Sequence, residues 1–371
     1  MLDGQVLVDP TDAQIVHAWG IPTSLAEGER DFDVLVVGAG PAGLAAAVYA
    51  SSEGLKSLIV ERESIGGQAG ASSLIRNYLG FSRGLSGAEL AQRGYQQAWV
   101  FGASFLLTRQ VTAIRRDADR FALSIDDVVG EVTARTVLLA AGVSYRRLNI
   151  PELEALSGAG VFYGASVSEA QAMTGRCAVV IGGGNSAGQA ALHLARYAQR
   201  VLLVVRAPAL SQGMSDYLST ELESAPGVEI RTGAEIVAGG GTGRLEHVVV
   251  RDRASGSNTT VDADGLFVMI GAQPHTQWLP DEVRRDSGGF LAVGADVGGE
   301  GWPLERAPLP YETSLPGLFA VGDVRSGSVK RVASAVGEGS VVVSQLHGYL
   351  QDPAQRDGKP RESAAGTVPR T

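Results

Sequence analysis

Apolar residues in this chain gather into short, strand-length runs, and two of these runs lead straight into glycine and then a helical stretch. The first, at 34–37, is continuously apolar. Gly38-Ala39-Gly40-Pro41-Ala42-Gly43 follows at once, then an alanine-rich helix to about residue 52. A second strand at 57–60 ends in Glu61. This order predicts a βαβ unit. It returns later: a strand at 177–181, Gly182-Gly183-Gly184-Asn185-Ser186-Ala187, a helix to about residue 197, and a strand at 201–205 ending in Arg206. Between the two units, runs at 111–114, 121–125 and 132–133 predict a small β-meander, and 136–141 a further buried strand. Strand signals at 229–231 and 247–251 follow the second unit. A strand at 318–321, closed by Gly322-Asp323, leads to a helix over about 330–350. The first 30 residues predict a strand at 6–8, a Pro10–Thr11 turn and a helix carrying Ile15, Val16 and Trp19. Beyond 351 the chain turns polar and contains proline, which predicts a disordered tail.

Composition narrows the class. A chain of 371 residues, 44% hydrophobic, suggests two to three domains with a sizeable core. Glycine reaches 49 residues against an ordinary 15 prolines and shows no collagen period, so it marks tight turns and close backbone approaches. The net charge of −9 argues against nucleic acid or an anionic membrane as partner. The single Cys177 precludes an intrachain disulfide and fits a reducing compartment. No apolar run approaches a membrane span, and no secretory signal is visible, so a cytoplasmic location is the default expectation. The five histidines lie apart in sequence without a metal-ligand motif, so no metal is expected.

The glycine motifs carry the chemistry. In the first, Gly38 allows the tight turn, Gly40 lets backbone approach a pyrophosphate, and Gly43 lets the helix pack on the strand; Pro41 and Ala42 complete the loop. The helix N-terminus offers N–H groups and partial positive charge to the phosphate. Glu61 can accept both ribose hydroxyls of an adenosine, and its charge disfavours a 2′-phosphate. In the second motif Gly182, Gly184, Asn185 and Ser186 form the loop, Ala187 replaces the third glycine, and Arg206 replaces the acid. An arginine there suits a 2′-phosphate, which favours NADPH, with NADH the alternative. Gly184-Asn185-Ser186-Ala187-Gly188 also spells the nucleophile elbow of α/β-hydrolases, with His275 or His347 following in the right order. An elbow serine needs neither Gly182 nor a second βαβ unit upstream, so the dinucleotide reading is preferred.

Over roughly 31–350 the chain resembles the thioredoxin-reductase family of flavoproteins with two dinucleotide-binding domains. The matching segments are VLVVGAGPAGLAAAVYA, GGQAGASSLIRNYLGF, LLAAGVSYRRLNIPE, VVIGGGNSAGQAALHLA, MIGAQPHT and GLFAVGDV. The resemblance implies an α/β fold of two Rossmann-like three-layer domains, each with a small β-meander. It divides the chain into an FAD-binding domain at 31–149 plus 308–352 and an NAD(P)H-binding domain at 150–307. These lie between an N-terminal arm at 1–30, similar to the remnant of a fused domain, and the tail at 353–371. It also implies a homodimer and a swing of the nicotinamide domain about connections near 149–152 and 304–310. By resemblance, Gly66, Gly67, Gln68 and Asn77 contact the flavin or its phosphate-ribitol chain, Val111 lies at the adenine, and Ala140, Ala141 and Gly142 pass back along FAD. Gly322 and Asp323 reach the ribitol, and Arg331 and Val332 lie by the pyrimidine end of the flavin. Ile270 and Gly271 face the nicotinamide nucleotide.

One departure decides the chemistry. The family's thioredoxin reductases place a redox C-x-x-C after a G-V-x-Y stretch. Here Gly160-Val161-Phe162-Tyr163 is followed by Gly164-Ala165-Ser166-Val167, so Gly164 and Val167 stand at the cysteine positions. Without two thiols there is no thiol–disulfide exchange. The resemblance then implies hydride transfer from nicotinamide to flavin, with the electrons expected to leave to a small organic substrate, a quinone, an iron–sulfur protein or oxygen. Ser166, Ser168 and Glu169 are the polar candidates beside that space, Glu169 as a proton donor. Two other readings stay open: a flavin oxidase acting directly on an organic substrate with a vestigial nicotinamide site, and a non-catalytic nucleotide-binding sensor.

Overall fold

Strand β1 (Asp31–Val37) is buried over most of its length, as a continuous apolar run must be when both faces of a parallel sheet are covered. The computed structural model describes residue 25 and residues 28–72, 74–126, 128, 130–163, 167–299 and 301–351. The expected N-terminal strand and helix, and the tail, lie outside these residues. Helix α1 (Pro41–Ser52) leads to β2 (Ser57–Glu61), which pairs parallel with β1. The short α2 (Gly67–Gly70) and then α3 (Gly87–Val100) lead to β3 (Ser104–Leu107), parallel to β2. The start of α3 is fixed by Ser86, whose hydroxyl accepts from Glu89 N–H at 3.1 Å. Strands β4 (Val111–Asp117) and β5 (Arg120–Ile125) form an antiparallel hairpin, and β6 (Val132–Leu139) runs back along β1.

The sequence pattern divides 132–141 into two strands; the chain makes one. Its first residues pair antiparallel with β5, and from Thr133 the same strand pairs parallel with β1. Arg135, the polar interruption, turns its guanidinium to Asp33 at 3.2 Å and to the Leu350 carbonyl at 3.0 Å.

Strand β7 (Val143–Tyr145) ends the first pass, and the chain divides into two compact units, 1–144 with 274–371, and 145–273. In the second unit α4 (Pro151–Glu154), β8 (Val161–Tyr163) and α5 (Val167–Ala172) precede β9 (Cys177–Ile181), α6 (Asn185–Leu194) and β10 (Arg200–Val204). Helix α7 (Asp216–Ser224) and β11 (Val228–Arg231) complete that βα run. An antiparallel sheet of β12 (Ala234–Gly240), β13 (His247–Asp252) and β14 (Asn258–Asp262) follows, then β15 (Gly265–Val268) and β16 (Ala272–Pro274). The parallel sheet runs β11-β10-β9-β15-β8.

Back in the first unit, β17 (Leu318–Ala320) joins β6 in parallel and α8 (Val332–Gln351) closes the layer that α1 and α3 begin. The sequence reading puts the second crossing between units near 304–310; here it falls at 273–274. The physical reason lies in Leu279, Val283, Leu291 and Val293, which are buried in one apolar cluster with Leu35, Val37 and Leu58 of the first sheet. No described helix is long and apolar enough to cross a membrane.

Candidate functional site

The first glycine loop is tied down from several sides. Gly38 has φ +104°, and a Cβ there would meet the Ala140 carbonyl oxygen at 2.5 Å, so the loop can press against the end of β6 only as glycine. A Cβ at Gly43 would overlap the Gly38 carbonyl oxygen, which brings the first turn of α1 down onto the loop. The helix begins with Gly40 at the N-cap and Pro41 at N1, and no side chain caps it. Its leading N–H groups are therefore left to a ligand. Gly66 N–H donates to the Ala39 carbonyl at 2.8 Å, and a Cβ on Gly67 would sit 3.4 Å from Gly40 Cα. A Cβ on Gly40 would meet nothing within 4 Å, so a side chain there would occupy the open space beside the helix start.

Glu61 ends β2 beside this loop. It is 8% exposed, and its carboxylate accepts from Ala39 N–H at 2.6 Å and Glu63 N–H at 2.8 Å. Burial raises its pKa above the ordinary 4.5, with the two backbone N–H groups pulling the other way. Asp323 is likewise raised, first by burial, against the nearby Lys330 charge. The ligand-free native state thus holds these protons more tightly than the unfolded chain does. Their contribution to stability is fully present below the unfolded values and is lost as pH rises through the raised native ones. Urea midpoints of the FAD-free protein should therefore fall relative to those of Glu61→Gln as pH is raised above 4.5. Parallel profiles for the two proteins would count against this account.

Ala141 and Gly142 follow β6 directly, and Gly322 reaches the start of α1, where a Cβ on it would lie 3.0 Å from Ala42 Cβ. Gly322 N–H donates to Glu338 Oε2 at 2.7 Å, and Glu338 also takes Arg325 Nε at 2.9 Å and Arg325 Nη2. Arg331 is exposed and Val332 half-buried at the start of α8. Gln68, in the short α2, and Asn77, on the loop after it, are both exposed, and no described hydrogen bond ties either side chain to the glycine loop. Val111 is 2% exposed, packed in the core at the start of β4. Sequence reasoning missed Glu338 and Gly339. A Cβ at Gly339 would overlap the Ala42 carbonyl oxygen, so a glycine inside a long helix was the available signal.

The second glycine loop repeats the design less tightly. Gly182 has φ +145°, and a Cβ there would overlap the Met269 carbonyl oxygen at the end of β15. Gly184 is the N-cap of α6, again with no side-chain cap. Asn185 Oδ1 accepts from Ser215 N–H at 2.8 Å, which joins the loop to the start of α7. Ser186 is exposed at the helix start and Ala187 is fully buried. Ile270 and Gly271 follow β15, and Arg206 is exposed two residues beyond β10. Arg253 reaches the same place from the turn after β13, donating to the Arg206 carbonyl at 3.2 Å.

Other expected groups fall elsewhere. Ser166, and the Ser168 side chain, lie outside the described residues; Glu169 is half-buried in the first turn of α5. Just ahead, Tyr163 donates to Glu154, and burial together with that bond pushes the phenol up to about 12. Cys177 opens β9, its N–H on Asp264 Oδ2 at 3.0 Å. The histidines of the hydrolase alternative have other neighbours. His275 Nε2 lies 2.9 Å from Ser144 Oγ, and His347 Nε2 lies 3.0 Å from Glu53 Oε2.

Residues 32–339 match the family described as pyridine nucleotide-disulphide oxidoreductase. The chain is 32% identical over 322 residues to the 34.2 kDa protein in the rubredoxin operon of Clostridium pasteurianum, covering 87% of this chain and 98% of that one. It is 31% identical over 322 residues to the thioredoxin reductase of Treponema pallidum, with coverage of 87% and 98%. The solved thioredoxin reductase of Streptococcus pyogenes superposes with a TM-score of 0.76 at 27% identity, covering 87% of this chain and 99% of that one.

Proposed function

The chain belongs to the pyridine nucleotide-disulphide oxidoreductase family, and on that premise we propose that it takes hydride from NADPH onto FAD and delivers the electrons to an acceptor other than a protein disulfide. One observation carries the second half. The positions that would hold the redox dithiol are Gly164 and Val167, and the only sulfur nucleophile, Cys177, begins a sheet strand. A disulfide reductase of this kind needs one thiolate to attack and a second to resolve the mixed disulfide.

The residues of the first unit fit FAD: an uncapped helix start, open space beside Gly40 that a side chain would occupy, and a buried acid at the end of β2. When bound, FAD supplies a two-electron entry from nicotinamide and a one- or two-electron exit. The protein's part is positioning and exclusion of water. The backbone N–H groups of Ala42 and Gly43 receive the pyrophosphate, and Glu61 accepts from the adenosine ribose hydroxyls. Asp323 accepts from a ribitol hydroxyl on the turn that Glu338 holds. In the second unit the N-terminus of α6 receives the nicotinamide pyrophosphate, and Arg206 faces the 2′-phosphate.

Similarity to a protein of a rubredoxin operon puts rubredoxin first among the acceptors to test, ahead of quinones, oxygen and small organic oxidants. Mixed anaerobically with NADPH, the purified yellow protein should lose its flavin band at about 450 nm. Turnover should follow with an acceptor from this panel and not with a protein disulfide. Failure of both NADPH and NADH to bleach the flavin would reject the reading, as would sustained disulfide reduction by this chain alone.

A further inference from the structure

The second unit carries a concentration of arginine that its glycine motif does not account for. Four arginines, 206, 231, 251 and 253, lie on three neighbouring segments at the end of β10. Backbone hydrogen bonds knit those segments together: Gly233 N–H to the Ala207 carbonyl at 2.8 Å, Ala234 N–H to the Val205 carbonyl at 3.0 Å, and Arg253 N–H to the Gly233 carbonyl at 2.9 Å. Two of the four are neutralised. Arg231 Nε holds Glu229 at 2.8 Å, and Arg251 holds Glu235 through Nε at 3.1 Å and Nη2 at 2.7 Å. At the turn after β13, Asp252 directs its carboxylate onto Ala254 N–H, Ser255 N–H and Ser255 Oγ. Among the described residues neither Arg206 nor Arg253 makes an ion pair, although Arg253 Nη1 sits 3.2 Å from the Arg206 carbonyl. Both charges reach Glu235, whose pKa is lowered first by the Arg251 hydrogen bond and then by Arg251, Arg253 and Arg206 in turn.

Arg206 and the Arg253 guanidinium seated on its backbone carbonyl, neither in an ion pair among the described residues, stand where a dinucleotide unit meets the adenosine ribose and offer two positive charges to a dianionic phosphate. We infer that Arg253 is a specificity-determining residue that, with Arg206, recognises the 2′-phosphate of NADPH. This rests on the functional reading above and deepens it. The site combines one arginine from the βαβ unit with one from the β13–β14 hairpin, 47 residues further along the chain.

Titration calorimetry with 2′,5′-ADP and 5′-AMP tests the assignment without any turnover. Wild-type protein should bind 2′,5′-ADP at least roughly tenfold more tightly than 5′-AMP. In Arg253→Gln that preference should shrink by roughly tenfold, through weaker 2′,5′-ADP binding at unchanged 5′-AMP affinity. Arg253→Lys should recover part of it, since a lysine restores the charge without the fork. Arg253→Gln with a wild-type preference, while Arg206→Gln loses it, would overturn the inference. So would parallel losses for both ligands. Anaerobic flavin reduction is scored separately: a variant that selectively loses 2′,5′-ADP supports the assignment even if NADPH leaves the flavin oxidised, an outcome that rejects only the functional reading.

Discussion

Gly43→Ala is expected to emerge from purification nearly colourless. The added methyl would overlap the Gly38 carbonyl oxygen, a backbone atom that cannot rotate aside. Gly38 in turn cannot retreat, because its own Cβ position already lies 2.5 Å from the Ala140 carbonyl oxygen. Relief requires α1 to lift away from β1 by on the order of 1 Å, and the phosphate-facing N–H groups lift with it. A misplacement of that size at charge-assisted hydrogen bonds weakens binding by roughly 100-fold. The absorbance ratio of flavin to protein, and the FAD dissociation constant from flavin fluorescence quenching, report the effect. Wild-type FAD affinity in a folded Gly43→Ala protein would refute the packing account.

The second motif supplies the natural contrast, because there the third position is alanine already. Ala187 is fully buried, and its Cβ lies 2.9 Å from where a Cβ on Gly182 would sit. That helix therefore accommodates one methyl at this position but not a second on the loop beneath it. The sequence reading located both motifs because strand, turn and helix follow one another within a short stretch, although Gly38 and Gly182 press against the carbonyls of Ala140 and Met269, far along the chain. The parallel strands of both units were legible through continuous apolar runs that only a doubly covered strand tolerates.

What escaped the sequence reading is what long-range folding assembles. Arg253 sits in a polar hairpin, and nothing near it in sequence says that the hairpin folds back onto residue 206. The segment 274–307 has scattered apolar residues without helical or strand period, so its attachment to the first unit could not be read. It is decided by four buried side chains filling the face of a sheet whose strands lie far away in sequence. Glu338 was missed for a different reason. A glutamate in a helix reads as a solvated position, yet this one is 8% exposed. Its partners are a backbone N–H at 322 and an arginine at 325, on the turn before the helix.

That acid gives the largest expected stability effect. Glu338→Ala removes the acceptor for Gly322 N–H and leaves the Arg325 guanidinium, itself only 18% exposed, without its carboxylate. Breaking one side of such a buried pair costs about 3–5 kcal/mol, because the surviving charge stays desolvated. All four tryptophans, Trp19, Trp99, Trp278 and Trp302, lie outside 145–273, so tryptophan fluorescence during urea unfolding reports the first unit selectively. The midpoint should fall at unchanged slope. Glu338→Gln, which keeps an oxygen for Gly322 N–H but loses the charge, should fall between the alanine variant and wild type. The Gly322-Asp323 turn is also where the ribitol acceptor is placed, so FAD retention should fall in the same order as stability. Glu338→Ala with a wild-type urea midpoint would show that the turn is held by α1 packing through Ala42, with the carboxylate a bystander.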